Sequence, residues 1–524
     1  MEPTRTIPES AVWSLLLPPA LQVLCHARQP PPVAPALARR GARVDVVTRC
    51  DLETWLQTAP QLPGRMRGLW EPDADLEYDL AILWDPANRH EVRVWLAALR
   101  GLPLPPREIA LWTRNRWRGA TAPEWIDCDH AVRRAGWRPA AADIGLPDAD
   151  RVRQLVPWDA YMRTPLVRHA RTHRAWKERL TKAAPARWLQ PARLRRASLP
   201  GIAPAPSALE CILDAAGNHW ERIARVERLL VSPNGVAIAI VESQRGSRGV
   251  LKTAYRTGAE GRVARNAGAL KFLADQAPKL GGWSGAAPEL LAQGTAGAWS
   301  FTVEECVRGT PPQSWAPAAA AAVLSPAAAF LGALAAVGDR PQPLATDFLE
   351  RTSGAAVRAT CALLAPDHAG KLKDLWESLL DRVSGVVIPL VPRHGDFKLE
   401  NILGEPGAST LRVLDWELWS PRGLPLLDAW HLIGSRRARG AGISLGETMC
   451  RWILPVDLDV DERQVLGALS SGLDARFVAA APLLYWLDRL GPIAARGAWP
   501  SPGWERANVL RVLEVAQPAL EVHA

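Results

Sequence analysis

Over the first 150 residues, short apolar runs alternate with stretches of helical period. Residues 21–26 (LQVLCH), 43–49 (RVDVVTR), 78–86 (YDLAILWDP) and 108–114 (EIALWTR) read as strands, and 33–41 (VAPALARRG) and 91–102 (EVRVWLAALRGL) as helices. This alternation predicts an α/β unit, although strand order cannot be read from it. From about residue 222 the pattern changes to consecutive strands. Residues 226–231, 236–242 and 249–254 follow one another, joined by turns at SPNG (232–235) and QRGSR (244–248). A helix is expected over 259–275 and a further β-rich run over 299–307. Beyond Thr310 the chain reads as mainly helical except around 388–416. A small β-rich lobe thus precedes a larger helical one. Prolines at 185, 191, 200, 204 and 206 mark a linker. The expected organisation is a domain over 1–160, a basic, proline-containing linker over 161–206, a small lobe over 207–310 and a large lobe over 311–524.

Composition changes this picture in three places. The 524-residue length itself favours two domains, and 48% hydrophobic with 22% charged residues is the balance of an ordinary globular protein. The cysteines at 25, 50, 128, 211, 306, 361 and 450 stand singly, which argues against a disulfide framework or a zinc site and for a reducing, cytoplasmic setting. The N-terminus lacks a basic region before its proline-interrupted apolar stretch and does not read as a signal peptide. Residues 314–338 are uncharged and long enough to cross a bilayer, but alanine dominates them, so a buried helix is expected instead. The net charge of +9 is concentrated between Arg163 and Arg196, where Glu178 is the only acidic residue. Leu166, Ala170, Trp176, Leu180 and Ala183 would line one face of a helix ringed by arginines. That pattern suits peripheral association with an anionic membrane at its inner face, with a solvated connecting helix as the alternative. No nucleic-acid-binding module accompanies the basic run, so nucleic acid is not an expected partner.

The candidate chemistry lies in residues 391–433, VPRHGDFKLENILGEPGASTLRVLDWELWSPRGLPLLDAWHLI. Phosphoryl transfer needs a group that orients the attacking hydroxyl and accepts its proton. It also needs oxygen ligands for a metal held against the phosphates, and positive charge to meet the developing negative charge. Asp396 suits the first role, Asn401 and Asp415 the second, and Lys398 the third as a γ-phosphate contact. Mg²⁺ accepts few protein oxygens together with phosphate and water, which one carboxylate and one amide supply.

This stretch resembles the HGDxxxxN and (I/L)D-W-E pattern of the aminoglycoside phosphotransferase and choline kinase family, and the resemblance extends over roughly residues 207–524. It implies a bilobal, α+β protein-kinase-like domain that uses ATP or GTP with Mg²⁺ and phosphorylates a hydroxyl of a small molecule or glycan. Within it Lys252 stands where the phosphate-binding lysine belongs, Gly235 where the turn covers the phosphates, and Glu305 to Val307 where the hinge meets the adenine edge. His394 would organise the loop and Asp428 would be structural. Trp419, Trp430, Trp452, Trp486 and Trp504 could stack on a sugar or pack in the core. The helix after the third strand departs from the family, with Asn266 where a glutamate normally pairs with the lysine. The first 160 residues resemble a Rossmann-like class I methyltransferase whose cofactor turn has degenerated. His26 to Pro32 contains no glycine, and Thr48 replaces the acidic ribose ligand. The expectation is therefore an ATP-dependent small-molecule kinase. Its alternatives are a nucleotide-binding pseudokinase scaffold and a methyltransferase with an accessory kinase-like domain.

Overall fold

The structure is a computed structural model. It describes residues 15, 17–19, 22–27, 33–40, 42–47, 66–69, 76–84, 89–114, 131–135, 137–148, 151–157, 192–200, 202–203, 205–232, 234–256, 258–315, 322–408, 410–495 and 497–522. The chain packs as two compact units, one of residues 1–263 with 290–306, the other of 264–289 with 307–524.

The first unit is built on a 13-stranded sheet. Its N-terminal part contains β1 (Gln22–Ala27), α1 (Val33–Arg39), β2 (Arg43–Val47), β3 (Met66–Leu69), β4 (Leu80–Trp84), α2 (Arg89–Arg100) and β5 (Glu108–Arg114). These strands pair in parallel in the order β3-β2-β1-β4-β5. Every residue of β4 is buried, as a central parallel strand covered on both faces requires. One face packs Leu24, Ala81 and Leu83 under Trp95 and Leu96 of α2; the other packs Val23, Val44 and Ile82 under Ala34 and Leu37 of α1.

Strands β6 (Arg138–Asp148), β7 (Arg151–Pro157) and β8 (Ala192–Ser198) follow, with β8 antiparallel to both β5 and β6. β8 falls inside the stretch read as a linker. The arginines there mask it as a solvated run, yet Arg196 is buried and pairs with Glu108 of β5 at 2.8 Å, each side chain 4% exposed. The last part of the basic segment is therefore strand rather than surface helix. Residues 158–191 of that segment lie outside the described residues, as do Arg28 to Pro32 and Thr48 of the methyltransferase resemblance.

Next comes α3 (Ala208–His219), which the sequence reading did not anticipate. Ser207 and Glu210 close a capping box at its start. Strands β9 (Ile223–Val231), β10 (Val236–Ser243), β11 (Arg248–Ala254), β12 (Leu290–Ala296) and β13 (Trp299–Glu305) extend the same sheet antiparallel in the order β9-β10-β11-β13-β12. β9 joins the earlier strands through β7 by only two pairs, Gln154 with Leu230 and Leu155 with Leu229. The period of two divides β10, β11 and β13 cleanly. Ala237, Ala239, Val241, Leu251, Phe301 and Val303 enter one core, while Val236, Ile238 and Ala254 face the other way with Val263. Val263 belongs to α4 (Glu260–Asp275), the helix in which the chain passes from one unit to the next.

The second unit is mainly helical. Its principal helices are α5 (Leu324–Ala336), α6 (Ala355–Cys361), α7 (Pro366–Val383), α8 (Leu427–Ala441), α9 (Val460–Ser470), α10 (Ala475–Ala494) and α11 (Arg511–Val522). Leu372, Leu379, Trp430, Phe477, Leu484 and Val509 are among the residues of one core. α5, in the Ala-rich stretch, is 13 residues long and buries Leu324, Phe330 and Leu334. Among the described residues no helix is long and apolar enough to cross a membrane. Short strand pairs interrupt the helices: β14 (Gln342–Pro343) with β15 (Val387–Ile388), β16 (Val391–Arg393) with β19 (Ser420–Gly423), and β17 (Ile402–Leu403) with β18 (Arg412–Val413).

Candidate active site

β16 and its partner β19 deliver the chain to the loop at His394, which is fully buried. The His394 ring donates from Nε2 to the Leu414 carbonyl at 2.8 Å and accepts the Asp396 amide at Nδ1, 3.2 Å away. Burial lowers its pKa, so the neutral ring can serve as donor and acceptor at once. Asp428, in the first turn of α8, accepts the His394 and Gly395 amides at 2.6 and 3.0 Å. Gly395 has φ +82°, and a Cβ there would lie 2.4 Å from the Leu418 carbonyl oxygen, so only glycine fits this turn.

Asp396 emerges from that turn with its carboxylate surrounded by donors. Lys398 Nζ reaches Oδ2 at 2.7 Å and Asn401 Nδ2 reaches it at 3.1 Å. His431 Nε2 lies 2.9 Å from Oδ1, and Arg489 Nη1 stands 3.6 Å from the same oxygen. Burial by itself would push this carboxyl up. The hydrogen bond from His431 and the Lys398 ammonium outweigh it and hold Asp396 well below the ordinary carboxylate range. Burial, with the Arg489 charge beside it, takes His431 down to about 4, so its ring is neutral at neutral pH. A carboxylate can only accept, which fixes the tautomer: Nε2–H donates to Asp396, and Nδ1 accepts from the Tyr485 hydroxyl at 3.2 Å. Arg489 also donates to the Gly395 carbonyl at 2.9 Å. Beneath it, Arg393 grips both oxygens of Asp488 at 3.1 Å.

The two candidate metal ligands are brought together by backbone. β17 pairs with β18, and the Leu414 amide then donates to the Asn401 carbonyl at 2.7 Å, placing Asp415 at the end of the same ladder. Asp415 takes φ +66°, a conformation that L side chains rarely adopt. Asn401 donates its amide nitrogen to the Asp396 carbonyl and carboxylate, which leaves its oxygen as the atom for a cation. Among the described residues no three His, Cys, Asp or Glu side chains cluster in a way that could hold a metal ion. A donor set of one carboxylate and one amide oxygen suits a hard cation that takes its remaining ligands from phosphate and water.

The remaining sequence candidates divide between the units. In the first, Lys252 is buried on β11 and its Nζ pairs with Glu304 of β13 at 2.9 Å. The lysine therefore has an anionic partner, although Asn266 occupies the helix position where the resemblance puts a glutamate. Asn266 is itself buried and accepts the Trp416 amide at 3.2 Å. Gly235 closes the β9–β10 turn at φ +90°. A Cβ there would meet Arg256 and Ala259 at 2.7 and 3.0 Å, so packing against the protein itself already demands glycine. Glu305 ends β13, and Val307 opens the segment that leads to the bridge between Thr310 and Gly404. Of the tryptophans, Trp430 and Trp486 are core residues and cannot stack on a sugar. Trp499 stacks on Trp504 with ring centroids 5.3 Å apart, and Arg437 lies over Trp452. Sequence reasoning missed Glu304, His431, Tyr485 and Arg489. The histidine sits in the quoted DAWHLI stretch, but nothing local marks it as a neighbour of Asp396.

No curated protein matches the sequence. Among solved structures, a thermostable mutant of the aminoglycoside phosphotransferase APH(4)-Ia, in a ternary complex with ADP and hygromycin B, is 14% identical. It covers 60% of this chain and 97% of its own, with a TM-score of 0.40. The aminoglycoside phosphotransferase APH(3'')-Id from Streptomyces rimosus ATCC10970 is 18% identical, covering 53% of this chain and 96% of its own at a TM-score of 0.33. The model of the phosphotransferase enzyme family matches residues 238–463, a span that includes Lys252, Glu304, Asp396, Lys398, Asn401, Asp415 and His431. Over those residues, in its C-terminal region, the chain matches the phosphotransferase enzyme family.

Proposed function

We propose that the protein transfers the γ-phosphate of a nucleoside triphosphate, ATP or GTP, to a hydroxyl of a small polar molecule or glycan. The observation that carries this reading is Asp396, an ionised carboxylate held by three hydrogen-bond donors with the Arg489 guanidinium close by, and with Asn401 and Asp415 flanking one short strand pair. The acceptor hydroxyl hydrogen-bonds to Asp396, which aims its oxygen at phosphorus. As the new O–P bond forms and the bond to the bridging oxygen of the nucleoside diphosphate breaks, the hydroxyl proton passes to the Asp396 carboxylate. A carboxylate held so far below its ordinary range serves chiefly to orient the hydroxyl, and it receives the proton late.

Lys398 is the γ-phosphate contact. In this structure its ammonium lies on Asp396, so it can turn toward a phosphate as the charge there grows. Asn401 and Asp415 would hold Mg²⁺, which would supply charge neutralisation at the phosphates. Lys252 steadies the phosphates, Gly235 shapes the turn beside them, and Glu305 and Val307 meet the base. Asn266, in place of the glutamate the resemblance implies, favours the scaffold alternative. The buried Lys252–Glu304 pair counts against it, because the lysine keeps a counter-charge. For the N-terminal part we propose a Rossmann-like scaffold without catalysis. The parallel order β3-β2-β1-β4-β5 supports the Rossmann-like part of that reading, and the glycine-free run from His26 to Pro32 the lack of catalysis.

The test is a nucleotide-consumption screen with MgATP and MgGTP against aminoglycosides, amino alcohols and sugars. Acceptor-stimulated release of the nucleoside diphosphate, lost in Asp396→Asn, is the expected result. Nucleotide binding without consumption on any acceptor would favour the scaffold.

A further inference from the structure

The strand face that carries Lys252 is otherwise apolar on one side and polar on the other. Ile238 of β10 stands directly across from the lysine, with Val236 and Ala254 on the same face. On β13 the residue directly across is Thr302, and Glu304 follows two residues later on that face. Lys252, Thr302 and Glu304 are 4%, 2% and 4% exposed. The Thr302 hydroxyl makes no hydrogen bond within the protein, so the polar groups here are not merely satisfying one another. A buried ammonium needs an opposite charge at hand, and Glu304 supplies it at 2.9 Å.

We infer that Glu304 is the positioning residue for Lys252: it holds the lysine from within the sheet, in the role that a glutamate on the following helix would otherwise fill. The inference rests on the reading of Lys252 as the phosphate contact. Lys252 and Glu304 belong to adjacent strands whose ladder runs without a register shift from Gly249–Glu305 to Thr253–Phe301. Their separation is therefore set by backbone hydrogen bonds, and no movement of a helix is needed to bring the pair together. The lysine is held ready in the absence of nucleotide.

Isothermal titration of the full chain with MgATP, and with MgGTP, tests this using wild type and three variants. Wild type is expected to bind one of the two nucleotides. Glu304→Gln should weaken binding about tenfold, because the lysine loses the charge that aims it. Lys252→Met should weaken it at least as much. Lys252→Met/Glu304→Met replaces the buried pair by apolar side chains and should bind as Lys252→Met alone does, since Glu304 then has no lysine to hold. A glutamate that merely braces β13 would instead give losses that add. Additive losses overturn the inference, as does a Glu304→Gln variant that binds as well as wild type or better; tighter binding would mean that Glu304 sequesters the lysine. If Glu304→Gln fails to fold, comparing Lys252→Met with the double variant decides the matter. Equal affinities support the inference, and a further loss sinks it. A wild-type protein that binds neither nucleotide overturns the phosphotransferase reading itself, an outcome separate from these.

Discussion

On β11 and β13 one lysine faces one glutamate across a ladder, and both are shut away from water. Asp396 is held by the opposite means. It is partly exposed and draws its partners from its own loop, from α8 and from α10. The first arrangement fixes a charge by backbone geometry and sets it against one carboxylate on the adjacent strand. The second spreads one negative charge over several donors, so no single donor carries the whole burden. Substitutions should therefore act sharply in the pair and gradually around the carboxylate, with Asp396 itself the exception.

That exception gives the largest expected effect. Asp396→Asn should reduce turnover by about a thousandfold while leaving MgATP affinity within a few-fold, measured by acceptor-dependent ADP release and calorimetry. If turnover survives, the carboxylate is only a loop organiser. Asp415→Asn comes next. It should weaken Mg²⁺-dependent nucleotide binding on the order of ten- to a hundredfold, and a titration series in Mg²⁺ would show whether the loss is metal-linked. A nucleotide affinity that ignores Mg²⁺ in both proteins would remove Asp415 from the metal site.

A smaller effect is expected from the donors that share the carboxylate. His431→Phe keeps a ring but removes the hydrogen bond to Oδ1, so kcat should fall about tenfold with nucleotide affinity unchanged. His431→Gln, which retains a donor, should recover part of the loss. Equal turnover in both variants would show that Arg489 and Lys398 hold Asp396 unaided.

The smallest effect is one of stability. His431 is lowered to about 4 from its ordinary value near 6.5. Between those two pH values the unfolded chain binds a proton that the folded protein refuses. Folding stability should therefore decline as pH falls through that window and level off below it. His394 is lowered too and contributes with the same sign. Melting curves from pH 7 to pH 4 should slope less steeply for His431→Gln than for wild type. An unchanged slope would mean that the ring titrates freely.

Asp396, Lys398, Asn401 and Asp415 were legible in the sequence because a loop and two short strands set their spacing locally. His431 and Arg489 were not, because they reach Asp396 only after α8 and α10 have packed in the helical core. Glu304 was hidden for a related reason: β13 pairs with β11 across an intervening helix and strand, and one carboxylate beside Glu305 looks like any other. The apolar runs of β1, β2, β4 and β5 could be read, but their order could not. β8 reads as linker because its arginines imitate a solvated run. The partner Glu108, contributed by β5, and the Ala205 carbonyl make a buried Arg196 tolerable.

The two-residue pairing of β7 with β9 has a practical consequence for anyone dividing the chain. A fragment beginning near residue 207 would keep β9 but lose β7. It would leave the backbone groups that Leu229 and Leu230 offer to β7 open along a strand margin. Open margins of this kind recruit other chains, so the excised fragment should self-associate unless charged residues are placed at that margin. In the full chain β7 of the N-terminal part covers that margin, a service that requires no chemistry.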